Sequence, residues 1–177
     1  MKIIIRKSKN TDLNNIYDLH IKCFNKSDQW YKYAISNHLN NSIIAEIKET
    51  QQIIGVLLQG TIIPCNKKSS FFDKNEDIFE SVNEEGELFY KNMLHTKEHF
   101  GIVMICIDPE YRNKGLGKQL IKHHLNENSN KLLCLHTRES NINAINLYIF
   151  MNYKQIAIIK NKYFLPNESS YFMIKNN

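Results

Sequence analysis

Arg112, Gly115 and Gly117 stand in the spacing Arg-x-x-Gly-x-Gly, inside the run Tyr111-Arg112-Asn113-Lys114-Gly115-Leu116-Gly117-Lys118. The apolar run Gly101 to Ile107 before them reads as a buried strand, and the apolar pattern Leu116 to Leu125 after them reads as a helix. Strand, glycine turn and helix in that order make a cradle for a pyrophosphate. Glycine lets the backbone approach a ligand closely. The first helical turn carries N–H groups with no partner inside the helix, and the helix dipole adds a partial positive charge. Arg112, Lys114 and Lys118 add full charges. A dinucleotide fingerprint needs another glycine order, and a P-loop needs Ser or Thr after Gly-Lys, where this chain has Gln119. A helix-start turn with no ligand is the plain alternative.

Two further side chains carry possible chemistry. His136 closes the apolar pattern Leu132 to Thr137, at the strand end where open α/β sheets bind ligands. Its imidazole titrates near neutrality and can take a proton from an amine directly or through water; a structural strand histidine is the alternative. Tyr148 lies one to two turns into a helical pattern that begins at Asn141. It is either a hydrogen-bond donor to a reacting group or a ring packed between helix and sheet. Cys23, Cys65, Cys106 and Cys134 form no Cys-x-x-Cys pair and no cluster with histidine, so no metal site is expected. Cys106 and Cys134 read as buried thiols, and the setting expected is reducing and cytoplasmic.

These residues need a scaffold. The pattern predicts a strand at 2–6, then a helix at 12–23 capped by Thr11, with Leu13, Ile16, Leu19 and Ile21 or Cys23 inward. A second helix at 29–39 follows, capped by Ser27-Asp28, then strands at 42–48 and 53–63 joined by a turn at 49–52. Later come strands at 98–107, 131–137, 154–160 and 170–175, with helices at 116–125 and 141–151. The order suits an α/β chain: a mixed sheet with helices on both faces. Residues 64–97 are too long for an ordinary connection. They combine Lys67-Lys68, an acidic stretch and several aromatics, and read as an insertion with some local helix, either shaping a substrate entrance or lying as a solvated loop.

Arg-x-x-Gly-x-Gly after a strand resembles the GCN5-related N-acetyltransferases (the GNAT superfamily). Ile105-Cys106-Ile107-Asp108-Pro109-Glu110-Tyr111 resembles the strand and turn before their motif, and Asn141 to Tyr148 resembles their Asn-x-x-Ala-x-x-x-Tyr helix. The likeness covers essentially the whole chain. It implies one domain over 1–177 with a twisted sheet of six to seven strands, the insertion falling between the third and fourth. It implies acetyl-CoA as co-substrate, with no metal. Leu135-His136 ahead of Ser140 to Tyr148, with Trp30-Tyr31 and Tyr163, further resembles protein N-terminal acetyltransferases of the NatE and NatF type.

That resemblance implies coenzyme A contacts at Ile105, Cys106, Ile107, Arg112, Asn113, Lys114, Gly115, Leu116, Gly117, Lys118, Asn141 and Tyr148. It implies His136 as base, Tyr148 beside the leaving sulfur, a backbone N–H of Ile105 to Ile107 as oxyanion donor, and Phe24, Val103 and Tyr163 toward the acceptor. The position of the relatives' catalytic tyrosine holds Gly101. His99, two residues earlier, is the expected substitute, with Tyr90 in the insertion as another. Their tyrosine after the first helix has no counterpart between Phe24 and Trp30. The acceptor expected is the α-amino group of protein or peptide N-termini. A polyamine, amino sugar or lysine acceptor is the alternative, as is a coenzyme A-binding module with weak catalysis.

Composition sets outer bounds. At 177 residues one domain is the default, with length enough for a substantial core. A net charge of +5 suits an anionic cofactor but makes no case for nucleic acid. No apolar stretch approaches the ~18 residues of a membrane span, and Met1 to Lys7 is too short in its apolar part for a signal peptide. An auxiliary subunit or a homodimer remains open.

Overall fold

The computed structural model describes residues 1–62, 79–81, 99–164 and 167–176, with side chains at 1–62, 99–159 and 168–176. These residues group into two compact units, Met1–Gly60 with Ile102–Asn130, and Thr61–Gly101 with Lys131–Asn177.

The first unit contains β1 (Ile3–Lys7), α1 (Leu13–Cys23), α2 (Lys32–Ser36), β2 (Ile43–Ile47), β3 (Ile53–Ile62, to Gly60) and α3 (Leu116–Glu127). It also holds Ile102–Ile107, the larger part of a strand that spans His99–Ile107. That strand is β5 here, because the short β4 (Phe79–Ser81) precedes it. The strand order is β1-β2-β3-β5, with β1–β2 and β2–β3 antiparallel. Every residue of β2 is buried, as in a strand covered on both faces. On one face Ile16, Leu19, Ile35 and Leu39 pack on Val56, Leu58, Met104 and Cys106. On the other face a methyl at Gly55 would lie 2.9 Å from Ile107 Cδ1 and 3.3 Å from Leu120 of α3.

Helix α1 buries Ile16, Leu19 and His20, with Cys23 partly buried, which is an i, i+3, i+4, i+7 stripe; Ile21 is exposed. Its start differs from the Thr11 cap expected. Asp12 ends a 3-10 turn, accepts the Lys9 N–H at 2.7 Å, and is held by Arg6, which also pairs with Glu46. The second helix is shorter than the 29–39 expected. Trp30 donates its N–H to His20 Nε2 at 2.7 Å and Tyr31 is extended, so the chain enters the helix only at Lys32.

The second unit contains β4, the start of β5 (His99–Gly101), β6 (Leu133–Arg138), α4 (Ile142–Phe150), β7 (Lys154–Phe164) and β8 (Asn167–Lys175). Its strands run β6-β8-β7-β4, all antiparallel to their neighbours. Strands β7 and β8 run past the expected 154–160 and 170–175 to a tip where Phe164 faces Asn167. Polar Asn161, Lys162 and Glu168 interrupt the apolar pattern there; the ladder shifts register between Ile159 and Tyr163 and resumes with Tyr163 opposite Glu168. Strand β4 falls inside the expected insertion and pairs with β7, Phe79 opposite Ile159. The rest of the insertion, with its expected helix and Tyr90, lies outside the described residues. Apart from the three-residue β4, the strands among the described residues number seven, the upper end of the expected range.

Candidate functional site

The cradle starts from a fixed base. Asp108 donates its N–H to Ile54 O at 2.9 Å, its Oδ1 accepts from Glu110 N at 3.1 Å, and its Oδ2 pairs with Lys22 at 2.8 Å. Burial alone would raise its carboxyl, but Lys22 and the Glu110 N–H outweigh burial and hold it below the usual range. The chain then makes one 3-10 turn, Pro109–Tyr111. Arg112 folds its Nε back onto Ile107 O at 3.1 Å.

Two residues of the turn are left-handed: Asn113 at φ 60° and Gly115 at φ 78°. Gly115 is the N-cap of α3, and its carbonyl accepts the first helical bond, from Gln119 N at 3.1 Å. A methyl at Gly115 would meet nothing within 4 Å. The glycine therefore serves backbone conformation and open room above a helix start, not packing. The N–H groups of Leu116 and Gly117, in the first turn, have no carbonyl to bind inside the helix. Arg112, Asn113 and Lys118 are exposed around this opening. Lys114 folds back instead: its Nζ donates to Glu110 O at 3.1 Å and lies 5.0 Å from the Tyr111 ring centre. The open room, left-handed turn and cationic surround fit a pyrophosphate.

Of the predicted strand contacts, Ile105 and Ile107 are partly buried and Cys106 is buried on the α1 side. Val103 and Met104, adjacent in sequence, both pack on the α1 cluster. Phe24 packs on the same cluster, its ring 4.7 Å from that of His20. A methyl at Gly60 would lie 2.5 Å from His38 Nδ1 and 3.1 Å from Val103. Phe24 and Val103, the residues expected toward the acceptor, thus form with Trp30 a partly buried apolar wall on the α1 cluster, and the Trp30 and His38 ring centres are 6.3 Å apart. The organiser of this wall is His20, which the sequence reading missed. It is fully buried, desolvation lowers its pKa, and its Nε2 accepts the Trp30 backbone N–H. Its position in the 16-19-20-23 stripe is the signal that marks it as inward.

In the second unit His136 is partly buried on β6. Its Nδ1 lies 3.3 Å from Ser170 Oγ and its ring 4.8 Å from Phe172. Arg138, two residues on, pairs with Glu168 at 3.1 Å. Asn141 is the N-cap of α4, its Oδ1 accepting from Ala144 N at 3.3 Å. Tyr148 is buried, with its ring edge-on to Tyr153 at 5.8 Å. Burial pushes the Tyr153 phenol up and the Cys134 thiol to about 12. Tyr163 faces Glu168 across the β7–β8 ladder, and its side chain is outside the described residues.

His99 is buried at the start of β5. At Gly101 a methyl would lie 1.7 Å from Cys134 O and 2.7 Å from its carbonyl carbon. No side chain fits there, so the missing tyrosine is a consequence of how closely the backbone runs to β6. The cradle belongs to the first unit; His99, His136, Asn141 and Tyr148 belong to the second. Among the described residues no group of three or more His, Cys, Asp or Glu is placed to hold a metal ion, and no helix is long and apolar enough to cross a membrane.

No curated protein sequence matches this chain. Solved structures resemble it at low identity. Arabidopsis thaliana NAA60 in complex with acetyl-CoA is 18% identical, with TM-score 0.73 over 99% of this chain and 100% of that one. The ribosomal-protein-S18-alanine N-acetyltransferase from Escherichia coli is 16% identical, with TM-score 0.69 over 98% and 92%. The loading GNATL domain of CurA from Lyngbya majuscula is 14% identical, with TM-score 0.71 over 99% and 98%. At these identities the likeness shows the fold. The model of the Acetyltransferase (GNAT) family matches residues 13–153, from α1 through the cradle to just past α4, and the chain belongs to that family.

Proposed function

We propose that this protein transfers an acetyl group from acetyl-CoA to the α-amino group of protein N-termini. The observation that carries the acetyl-CoA reading is the Gly115 cradle: a left-handed N-cap with open space, at a twelve-residue helix ringed by Arg112, Asn113 and Lys118. These residues would hold the pyrophosphate. When bound, acetyl-CoA supplies an acetyl thioester, an activated acyl group with a good leaving thiol. A backbone N–H in Ile105–Ile107 donates to the carbonyl oxygen as negative charge grows on it. His136, positioned by Ser170 and Phe172, takes the proton from the attacking amine. Tyr148 donates to the departing sulfur.

The chemistry of the base favours an α-amine. Its pKa is near 8 against about 10.4 for lysine, so at pH 7 it is roughly a hundred-fold more often neutral. One histidine then suffices where Gly101 leaves no second base from the usual position. The apolar wall of Phe24, Trp30 and Val103 supports an acceptor with an apolar first residue. A reducing, cytoplasmic setting is part of this reading.

The test is coenzyme A release from acetyl-CoA, with peptides beginning Met-Lys, Met-Leu, Met-Ala or Ser, the same peptides N-terminally blocked, and spermidine. Release with free N-termini only is expected. Release that survives blocking, or appears only with spermidine, replaces the acceptor with a lysine or a small amine. Binding of coenzyme A with no turnover on any amine replaces the enzyme with a binding module.

A further inference from the structure

Cys23 ends α1 and is partly buried, whereas Cys106 is buried in the middle of β5. They are far apart in the chain, yet Cys106 belongs to the core cluster under α1 and Cys23 packs against that cluster, near enough for each thiol to shift the titration of the other. Cys23 Sγ donates to Ile107 O at 3.3 Å, the carbonyl of the residue after Cys106 and the same one that holds Arg112 Nε at 3.1 Å, so the Arg112 charge lies close to the sulfur. Neither cysteine is in a disulfide.

The surroundings make the two sulfurs unlike. The neighbouring Cys106 thiol and the Arg112 charge outweigh burial and the Asp108 carboxylate, and bring Cys23 down to about 7. Cys106 moves the other way, raised by the neighbouring Cys23 and by complete burial. A partly accessible thiolate beside a buried, protonated thiol is the arrangement of an attacking sulfur and its resolving partner.

We propose that Cys23 and Cys106 form an oxidation site that closes to a disulfide when the protein meets hydrogen peroxide. The Cys23 thiolate attacks one peroxide oxygen. The oxygen–oxygen bond breaks, leaving Cys23 as a sulfenic acid and releasing hydroxide, which takes a proton to become water. The Cys106 sulfur then attacks the Cys23 sulfur, loses its proton, and expels the hydroxyl as a second water. The two thiols are oxidised by two electrons in all, and the peroxide is reduced by the same two. The cross-link ties the end of α1, and the chain leaving it at Phe24, to the strand of Ile105–Ile107. That this strand serves acetyl-CoA rests on the function proposed above; the disulfide does not.

The experiment uses the reduced full chain and needs neither acetyl-CoA nor turnover, so its failure is distinct from failure of the acetyl-transfer reading. The protein is treated with hydrogen peroxide, remaining thiols are alkylated in denaturant, and the digest is mapped by mass spectrometry. A linked Cys23–Cys106 peptide that dithiothreitol separates is expected in the wild-type chain. In Cys23→Ser, Cys106 should be recovered alkylated. Cys23 found only as sulfinic or sulfonic acid, Cys23 linked instead to Cys65 or Cys134, or all four thiols alkylated would each overturn the proposal.

Discussion

Gly101→Ala is the sharpest perturbation of this fold. The added methyl would sit 1.7 Å from the Cys134 carbonyl oxygen and 2.7 Å from its carbon, with Ile62 Cδ1 at 3.0 Å. A carbon–oxygen contact settles at roughly 3.3 Å or more, so β5 and β6 must part by about 1.6 Å. Ile62 can rotate away; a backbone carbonyl inside a strand cannot. Overpacking of this kind costs about 1–3 kcal/mol, and a lost ladder hydrogen bond adds about 1 kcal/mol. Against this, alanine stiffens the unfolded chain by only ~0.4–1 kcal/mol. The net loss is about 2 kcal/mol, and for a chain of this length each kcal/mol lowers Tm by about 2–4 °C. Circular dichroism should show Gly101→Ala melting about 4–8 °C below wild type. Gly60→Ala is the control: its nearest atoms are the end of the His38 ring and a Val103 methyl, which can give way, so about 1 kcal/mol is expected. Gly101→Tyr should fail to fold rather than recover a lost base. A Gly101→Ala protein melting within about 2 °C of wild type would refute the close approach and reopen the question of why the tyrosine is missing.

The remaining predictions concern the site and its supports. Gly115→Asp places bulk and negative charge over the helix start and should abolish coenzyme A binding in calorimetry while Tm changes little. His136→Ala should lower kcat by about 100-fold or more, with coenzyme A affinity within about two-fold of wild type; Tyr148→Phe should lower kcat less. Asn141→Ala removes the α4 cap and should cost about 1 kcal/mol in urea unfolding. The hydrogen bond from Arg6 holds the Asp12 carboxyl below its usual range. Its stabilisation is therefore full above the unfolded pKa of about 3.9 and lost as pH falls through the lower folded value. Asp12→Asn should remove that contribution, so the two proteins differ most near pH 6 and converge in strong acid.

The parts of this molecule that depend on neighbours in sequence were legible before the structure. Arg112, Gly115 and Gly117 announce a turn and helix start through residue type alone, and the structure has the left-handed Gly115 and α3 there. The parts that depend on neighbours in space were not. Nothing about Gly101 says that Cys134 runs beneath it, and nothing about Cys23 says that Cys106 faces it. Asn141 shows the limit of motif reasoning: the residue read as a cofactor contact also has its carbonyl oxygen engaged as the cap of α4. His20 was readable in principle from its helical spacing, but polarity argued against burial. The Trp30 backbone N–H satisfies Nε2, while Nδ1 is buried with no hydrogen-bond partner among the described residues.

The most direct test of the central claim is a competition within one molecule. A peptide carrying both a free N-terminus and an internal lysine is incubated with acetyl-CoA and the enzyme, and fragment masses locate the acetyl group. The account predicts acetyl on the α-nitrogen alone, lost in His136→Ala. Acetyl on the lysine ε-nitrogen, at a rate equal to or above that on the α-nitrogen, would contradict it.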